Sequence, residues 1–307
     1  MDPLFYVFDT LVFVGIFALL TVSLNLEYGF TGLGNFGKVA FFMAGAYTYA
    51  LLANQQLPFY LCLTGGAAVA GITGILVTFP ALRLREDYLA IVTLSFGEIL
   101  RIIIKAEEGI AGGVRGIWVP SAFAPLGSMR SLAVANVLLV LCCLAAAFLL
   151  AQLLAHSPYG RILRGIREDD VAVQALGKNT VLYKLGVLTA GSAIAGVAGG
   201  LFAQYMSFID PYMFLPLVTF FVWIMLILGG PGNNWGALVG ALLVELLNRG
   251  TRILKDYLTL PVDPNNLQFI LFGLLIILIL LYRPQGLLPE GPVKTAARRM
   301  FQNAPSA

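Results

Sequence analysis

The sequence is poor in charged residues, and this scarcity excludes an ordinary soluble domain. Asp, Glu, Lys and Arg make up 11% of the 307 residues, whereas hydrophobic residues make up 59%. Soluble domains carry about 25% charged residues, and the fraction of surface that a chain buries rises only slowly with its size. The composition therefore predicts a chain surrounded by lipid, and the net charge of +3 is too small to indicate nucleic acid as a partner.

Residues that bind metals or carry out catalysis are also scarce. His156 is the only histidine, and the three cysteines lie inside apolar stretches without metal-ligand spacing. The sequence shows no Ser–His–Asp set and no pair of carboxylates in a predicted pocket. We therefore expect this chain to hold no metal or other cofactor and not to be an enzyme.

Signatures of two other classes are missing as well. The first ten residues contain Asp2 and Asp9 but no basic residue, whereas a cleavable signal peptide opens with basic residues. We therefore expect the first apolar stretch to be retained. The alternating segments of about ten residues that are typical of an outer-membrane barrel do not occur.

Long uncharged stretches dominate what is present. One stretch of 44 residues separates Lys38 from Arg83, and three further stretches of 30, 34 and 19 residues follow. Since a helix needs roughly 20 apolar residues to cross the hydrocarbon, these stretches predict an all-α polytopic membrane bundle of eight to ten spans. Our layout has nine spans, at Leu4–Leu26, Gly34–Ala53, Phe59–Phe79, Tyr88–Lys105, Leu132–Ala155, Leu185–Ser207, Pro216–Leu228, Gly236–Leu247 and Leu267–Tyr282.

The seventh and eighth predicted spans are short, and residues 228–236 join them. This segment contains Pro231 and four glycines. Because proline lacks a backbone donor and glycine has a weak helix propensity, the segment predicts broken or re-entrant helices. Such backbone is tolerated at membrane depth only where protein or a wet cavity covers it.

Basic residues predict the orientation. They are concentrated in loops 80–87 and 156–184 and in the C-terminal tail, and they favour the cytoplasmic side. The layout predicts a multi-pass protein of the inner or plasma membrane with its N-terminus outside. Residues 1–290 form the predicted transmembrane domain and residues 291–307 a cytoplasmic tail. Arg249 falls on the outer side in this layout and therefore conflicts with the preference of basic residues for the cytoplasmic side. A count of eight or ten spans would remove this conflict.

The loop 157–184 has the pattern of two short helices. Its Ser-Pro pair at 157–158 is typical of a helix start, and the Asp-Asp pair at 169–170 suits the positive end of a second helix. Gly177 can end that helix in a left-handed conformation. We therefore predict a helical hairpin on the cytoplasmic surface, with small residues on its exposed face that permit close approach by another protein. An ordinary interfacial linker explains the same pattern.

A set of runs along the chain resembles one family of transport proteins. The runs are Tyr28–Gly37, Ala44–Tyr47, Pro80–Ile99, Ser157–Asp170 with Ala172 and Ala175–Gly177, Leu228–Gly232 and Arg283–Leu287. They resemble the LivM-type permease subunit of branched-chain or neutral amino acid ABC importers. The resemblance implies four kinds of partner: a second related permease subunit, two cytoplasmic ATPase subunits that bind ATP and Mg²⁺, an extracytoplasmic substrate-binding protein and the lipid bilayer.

The resemblance also implies which residues couple the chain to the ATPase. The loop is similar to the EAA-type segment that inserts into a groove of an ATPase subunit. The implied coupling residues are Arg167, Glu168, Asp169, Asp170, Ala172, Gln174, Ala175, Leu176 and Gly177. Gln174 stands where many relatives carry an acidic residue, so no salt bridge is expected there.

The segment Gly32–Val39 nearly matches a phosphate-binding loop. Val39 replaces the Ser or Thr that holds Mg²⁺, and the segment lies between two spans rather than after a strand, so we reject an ATP site.

The glycines of this segment permit close helix contact or a non-helical entry. Together with residues 229–236 they suggest an internal repeat that flanks the substrate route, although plain packing explains each glycine as well. The predicted route residues are Asn25, Gly34, Asn35, Gly37, Gly45, Thr93, Ser95, Glu98, Gly230 and Gly232.

The sequence therefore predicts a permease subunit that moves branched-chain or other neutral amino acids inward, driven by ATP hydrolysis on separate subunits. One alternative is a permease of the same family for urea or short amides. The other is an ion- or proton-coupled carrier or channel, which would need an intramembrane acid such as Glu98 or Glu245. Ion pairing with Arg101 and Arg249 is the alternative role of these two acids.

Overall fold

The computed structural model describes residues 3–81, 86–123, 128–257 and 264–291. Part of the predicted loop 80–87 and residues 292–307 of the predicted tail lie outside the described residues. The helices are α1 Pro3–Leu24, α2 Lys38–Asn54, α3 Phe59–Ala81, α4 Glu86–Ala106, α5 Glu108–Ala111, α6 Met129–His156, α7 Pro158–Glu168, α8 Asp170–Ala175, α9 Thr180–Met206, α10 Pro216–Gly229, α11 Asn234–Tyr257 and α12 Pro264–Tyr282. The all-α membrane class predicted from composition is confirmed.

Four helical segments of the described chain are long and apolar enough to cross a membrane, by length and composition. They are Leu4–Gly29, Phe59–Pro80, Met129–His156 and Thr180–Met206. The first includes a π-helical turn, Asn25–Gly29, that follows α1 directly. Two short strands, β1 Ile117–Trp118 and β2 Phe208–Ile209, pair antiparallel in a small ribbon outside the helices.

Three predicted spans have wrong boundaries. The sixth was expected to begin at Leu185, but α9 begins at Thr180. The second was expected to begin at Gly34, but residues 32–37 are not helical and α2 begins at Lys38. The eighth was expected to end at Leu247, whereas α11 runs over 24 residues. The helix continues because its charges are paired: Arg249 Nε lies 3.2 Å from Glu245 Oε1 along the helix, which confirms this predicted pair.

The centre of the bundle is formed by α2, α3 and α9, which pack against one another. Gly199 of α9 lies so close to the Phe42 carbonyl that a Cβ atom would overlap it, and Gly45 of α2 lies equally close to the backbone of Gly196. Small residues allow helix backbones to approach in this way. Gly45, predicted for the substrate route, therefore serves helix packing.

Side-chain contacts distinguish the two ends of the bundle. At one end, Asp9 of α1 accepts hydrogen bonds from Tyr205 Oη at 2.5 Å and from Arg249 Nη1 at 2.6 Å, which joins α1, α9 and α11. At the opposite end lie α7, α8, the start of α9 and residues 283–291. We call this second end the hairpin end.

Candidate functional site

The hairpin of residues 157–184 is built by local capping interactions. Ser157 caps α7 with its Oγ, 3.3 Å from a backbone N of the first turn, and Pro158 is the first helical residue. Asp169 caps α8 with its Oδ1, which accepts two backbone hydrogen bonds at 2.9 and 3.0 Å. Gly177 follows with a φ of +76°, which glycine adopts without strain. The two short helices and their end signals are confirmed.

One side of the hairpin exposes apolar and small residues. Val171 and Leu176 are 74% and 79% exposed, and Ala172 and Ala175 are exposed beside them. No atom of the described residues lies within 4 Å of the position that a Cβ atom would take on Gly177. We call these five residues the hairpin face. Exposed apolar residues grouped on one surface are typical of sites that contact another protein or a membrane.

Two of the predicted coupling residues fasten the hairpin to α9. Asp170 Oδ2 accepts a hydrogen bond from Lys184 Nζ at 2.8 Å. Partial burial alone would raise the pKa of Asp170, but the hydrogen bond and the charge of Lys184 outweigh it, so that the pKa is lowered. Gln174 Nε2 donates to Thr180 Oγ1 at 3.0 Å. These contacts hold α8 in place against the body of the protein.

The other predicted coupling residues divide between surface and interior. Glu168 and Asp169 are exposed at the turn between α7 and α8. Arg167 points inward from α7, and its Nη1 donates a hydrogen bond to the carbonyl of Gly29 in the π-helical turn. The sequence pattern of a basic helix did not indicate this direction.

The two breaks in the helical structure meet inside the bundle. The first break comprises residues 25–37, where the regular α-helix gives way to the π-helical turn and then to the non-helical residues 32–37. The second break is the loop 230–233 between α10 and α11. Asn25 bridges them, because its Oδ1 accepts from Gly232 N at 2.8 Å and its Nδ2 donates to Asn234 Oδ1 at 2.8 Å. We call this contact the break junction. It brings together segments about 200 residues apart that the sequence marks only by their glycines and asparagines.

Aromatic and polar contacts extend the break junction toward α4 and α10. Trp223 Nε1 donates to the Asn35 carbonyl at 3.2 Å, and the Trp223 ring stacks on Phe36 with centroids 4.6 Å apart. Phe36 N donates to Thr93 Oγ1 at 3.1 Å. Gly37 lies against the Thr93 carbonyl, where a Cβ atom would overlap. The structure thus gathers several of the predicted route residues around the first break.

The remaining predicted route residues lie either in one of the two breaks or on α4. Gly34 lies in the first break and Gly230 in the second, where Gly230 has a φ of +111°. Ser95 is exposed on α4 and belongs to neither break. Glu98 accepts a hydrogen bond from Arg101 Nε at 3.0 Å along the same helix, which confirms the predicted ion pair.

A cavity of about 820 Å³ opens beside the break junction at the hairpin end. Its lining includes Phe30, Asn234 and Trp235 together with the basic residues Arg161 and Arg164. Asn234 is 2% exposed, and its Nδ2 has no hydrogen-bond partner among the described residues. A buried donor without a partner is costly, and the near-complete burial of this amide separates it from the open cavity in this structure.

Comparison with known families decides to which class this architecture belongs. The model of the family described as "Branched-chain amino acid transport system / permease component" matches residues 6–280. The chain belongs to this family. The membership that the sequence motifs predicted is therefore confirmed.

Named relatives of this permease carry consistent descriptions. It is 31% identical to the probable branched-chain amino acid transport permease protein LivM of Methanocaldococcus jannaschii, over 93% of this chain and 94% of the relative. It is 34% identical to the high-affinity branched-chain amino acid transport system permease protein LivM of Escherichia coli, over 89% of this chain and 68% of the relative. The corresponding LivH protein of Escherichia coli is 25% identical over 91% of this chain and 92% of the relative.

This permease contains a buried ion pair that the sequence analysis missed. Lys38 Nζ lies 2.6 Å from Glu27 Oε1, and the two side chains are 1% and 0% exposed. Asn35 Nδ2 donates to the other carboxylate oxygen at 2.9 Å. The pair closes the first break, because one charge precedes the non-helical segment and the other begins α2. The available signal was that two opposite charges flank a break between apolar stretches, where unpaired charges are costly.

Proposed function

We propose that this protein is the permease subunit of an ABC importer that moves branched-chain or other neutral amino acids inward, with ATP hydrolysed on separate subunits. Family membership and the names of the relatives support the substrate class. The observation that carries the proposal is the hairpin face, where Val171 and Leu176 are 74% and 79% exposed among small residues. A protein partner that covers this face would remove its apolar surface from water.

The environment of Lys38 supports the view that ATP binds elsewhere. In a phosphate-binding loop the lysine reaches the β- and γ-phosphates of the nucleotide. Lys38 instead has its Nζ buried in the ion pair with Glu27, and Val39 occupies the position of the Mg²⁺-binding hydroxyl. The phosphate-loop pattern of Gly32–Val39 is better explained by the first break.

The assembly that we propose contains a second related permease, two cytoplasmic ATPase subunits and an extracytoplasmic substrate-binding protein. The relatives named LivM and LivH support a pair of permeases. In this assembly the hairpin end faces the cytoplasm, so that the N-terminus lies outside and the C-terminus inside. This orientation also places the basic residues of the hairpin on the side that such residues favour.

The substrate route proposed here passes the break junction and the adjoining cavity. Asn25 and Asn234 contribute uncharged polar groups, and Glu27 and Lys38 cancel each other's charge. Phe30, like Trp235, adds apolar surface to the cavity lining. Arg164 and Glu290 of the same lining pair with each other. This leaves Arg161 as a cation for the carboxylate of a substrate whose side chain is neutral.

Transport in this scheme requires that the hairpin and the breaks change position together. Binding and hydrolysis of ATP shift the ATPase subunits, and the hairpin follows them. The breaks then change access from the outside to the inside. Because coupling between two sites requires contacts that differ in the two states, the contacts between the hairpin and the breaks must rearrange during each cycle.

Copurification with the ATPase subunits tests the docking function of the hairpin face. Ala175→Arg places a long charged side chain on this face, so we expect the ATPase subunits to be lost from the purified complex. Ala106→Arg is the matched control, because Ala106 is also an exposed helical alanine but lies at the opposite end of the bundle. Uptake of labelled leucine, alanine and urea by the wild-type assembly identifies the substrate class.

Two outcomes would contradict the proposal. The first is a wild-type chain that retains no nucleotide-binding subunit in mild detergent yet still transports amino acids. The second is an Ala175→Arg variant that retains the ATPase subunits as well as the Ala106→Arg control does. Transport of urea but not of leucine or alanine would overturn the substrate class alone.

A further inference from the structure

We infer that Glu290 is a positioning residue that ties the coupling hairpin to both helix breaks, so that movement of the hairpin is transmitted to the substrate route. This inference rests on the proposed function as an ATP-driven permease. It concerns a residue beyond the hairpin and beyond the set that the sequence motifs indicate.

The first observation is that one carboxylate joins two arginines of α7. Arg164 Nε lies 2.7 Å from Glu290 Oε1, and Arg167 Nη2 lies 2.8 Å from Glu290 Oε2. Arg164 and Arg167 are three residues apart and therefore lie on the same side of the helix. The three side chains are only 19%, 26% and 21% exposed, so water screens these ion pairs less than pairs on an open surface.

The second observation is that Glu290 is held on the second break by backbone pairing. Leu287 N and Leu288 N each donate at 2.9 Å to carbonyls at the end of α10, those of Leu228 and Gly229. Asn233 Nδ2 donates to the Leu288 carbonyl at 3.3 Å. Residues 287–290 are therefore attached to the end of α10 and to the loop that follows it, and we expect them to move with both.

The third observation is that Arg167 connects the same cluster to the first break. Its Nη1 donates to the Gly29 carbonyl, which belongs to the π-helical turn that begins with Asn25 of the break junction. Gly232 of the second break lies beside both charges, since a Cβ atom on it would be 2.8 Å from Glu290 Oε2 and 3.2 Å from Arg167 Nη1. One cluster of three charged side chains thus contacts the hairpin, the first break and the second break.

The cluster lies on the inner side of α7, whereas the hairpin face lies on α8 and the turn after it. A force that an ATPase subunit applies to the hairpin face reaches the breaks through α7 and this cluster. In this arrangement Glu290 transmits movement of the hairpin to the two breaks and is not a residue that docks the ATPase. Its loss should therefore leave the ATPase bound while substrate movement fails.

The experiment uses the complete assembly in proteoliposomes and measures amino acid uptake and ATP hydrolysis together. Glu290→Gln removes the charge with almost no change of shape. We expect copurified ATPase subunits and continuing ATP hydrolysis, but a loss of most of the amino acid moved per ATP. The matched control is Arg283→Gln, which removes one charge from an exposed side chain nearby and should leave this ratio unchanged.

A double-mutant cycle separates transmission from general loosening of the structure. If Arg167 and Glu290 act through one contact, Arg167→Gln combined with Glu290→Gln should be no worse than the more damaging single variant. Arg167→Lys keeps the charge but cannot reach two partners with a planar fork, so we expect an intermediate ratio. Arg167→Lys also takes the place of Glu290→Gln as the test variant if Glu290→Gln cannot be purified.

The outcomes separate the inference from the function on which it rests. The inference is overturned if Glu290→Gln shows the wild-type ratio of uptake to hydrolysis, and the ATP-driven permease then stays intact. If Glu290→Gln does not assemble, the same result in Arg167→Lys overturns the inference. Fully additive losses in the double mutant would also overturn it. Absence of ATP-dependent uptake in the wild-type assembly would instead overturn the proposed function.

Discussion

The buried pair of Glu27 and Lys38 gives the sharpest prediction about stability. At 2.6 Å and an effective dielectric constant of about 20, the attraction between two unit charges is about 6 kcal/mol. Desolvation of both groups offsets much of this gain, but removal of one partner leaves the other charge buried and unpaired. Such a loss costs about 3–5 kcal/mol. We therefore expect Lys38→Met to lower the free energy of unfolding by about this amount.

Few groups around the Glu27 carboxylate can replace Lys38 as its partner. Glu27 is fully buried and lies so close to Gly191 that a Cβ atom there would overlap its Oε1. Asn35 supplies the one further side-chain hydrogen bond that the described residues show for this carboxylate. Without Lys38, Glu27 must either stay charged in a nearly apolar site or take up a proton, and both states destabilise the fold.

The effect is measured by unfolding the protein in mild detergent with increasing amounts of a denaturing detergent. Circular dichroism monitors the loss of helix during this titration. The double variant Lys38→Met with Glu27→Gln removes both charges and keeps an acceptor for Asn35, so we expect it to recover most of the loss. Lys178→Met, at an exposed lysine, is the control and should change stability by less than about 0.5 kcal/mol. A single variant that loses under about 1 kcal/mol, as at a surface pair, would refute the reasoning, as would a double variant no more stable than Lys38→Met.

Two further predictions concern the packing core and the hairpin. Gly199→Ala places a methyl group onto the Phe42 carbonyl, so overpacking should cost about 1–3 kcal/mol in the same unfolding assay, and an unchanged stability would contradict the α2–α9 contact. The lowered pKa of Asp170 means that its link to Lys184 stabilises the hairpin fully above the ordinary Asp pKa of about 3.9. This stabilisation is lost as the pH falls through the folded-state value. Hydrogen exchange in α8, corrected for intrinsic rates, should therefore be constant from neutral pH to about pH 5 and rise only below about pH 4, and a change near neutrality would contradict the assignment.

Local signals explain why the hairpin could be predicted in detail. Ser157, Pro158, Asp169 and Gly177 each act on backbone groups within a few residues, so their effect is readable without knowledge of the fold. The ion pairs of Glu98 with Arg101 and of Glu245 with Arg249 were predictable for the same reason, because helical spacing alone brings the partners together.

Long-range geometry explains what the sequence could not provide. Glu27 and Lys38 meet only because the chain between them leaves the helix and turns back. A continuous helix would hold residues eleven apart on one face but about 16 Å from each other along its axis. The partner of Arg167 lies 123 residues away in sequence, so the inward direction of its side chain depends on where residues 283–291 return. The sequence also does not indicate that Ser95 is exposed on α4 or that Gly45 contacts the backbone of Gly196 on α9, and the assignment of both residues to the substrate route stays a prediction.

Uptake of labelled leucine into proteoliposomes tests the central claim most directly. Vesicles that contain this chain alone, with a proton or sodium gradient, are compared with vesicles that contain the copurified assembly, the binding protein and ATP. The account predicts uptake only in the complete assembly with hydrolysable ATP, and no loss of that uptake in Glu98→Gln or Glu245→Gln. Gradient-driven accumulation of leucine by the chain alone would contradict it.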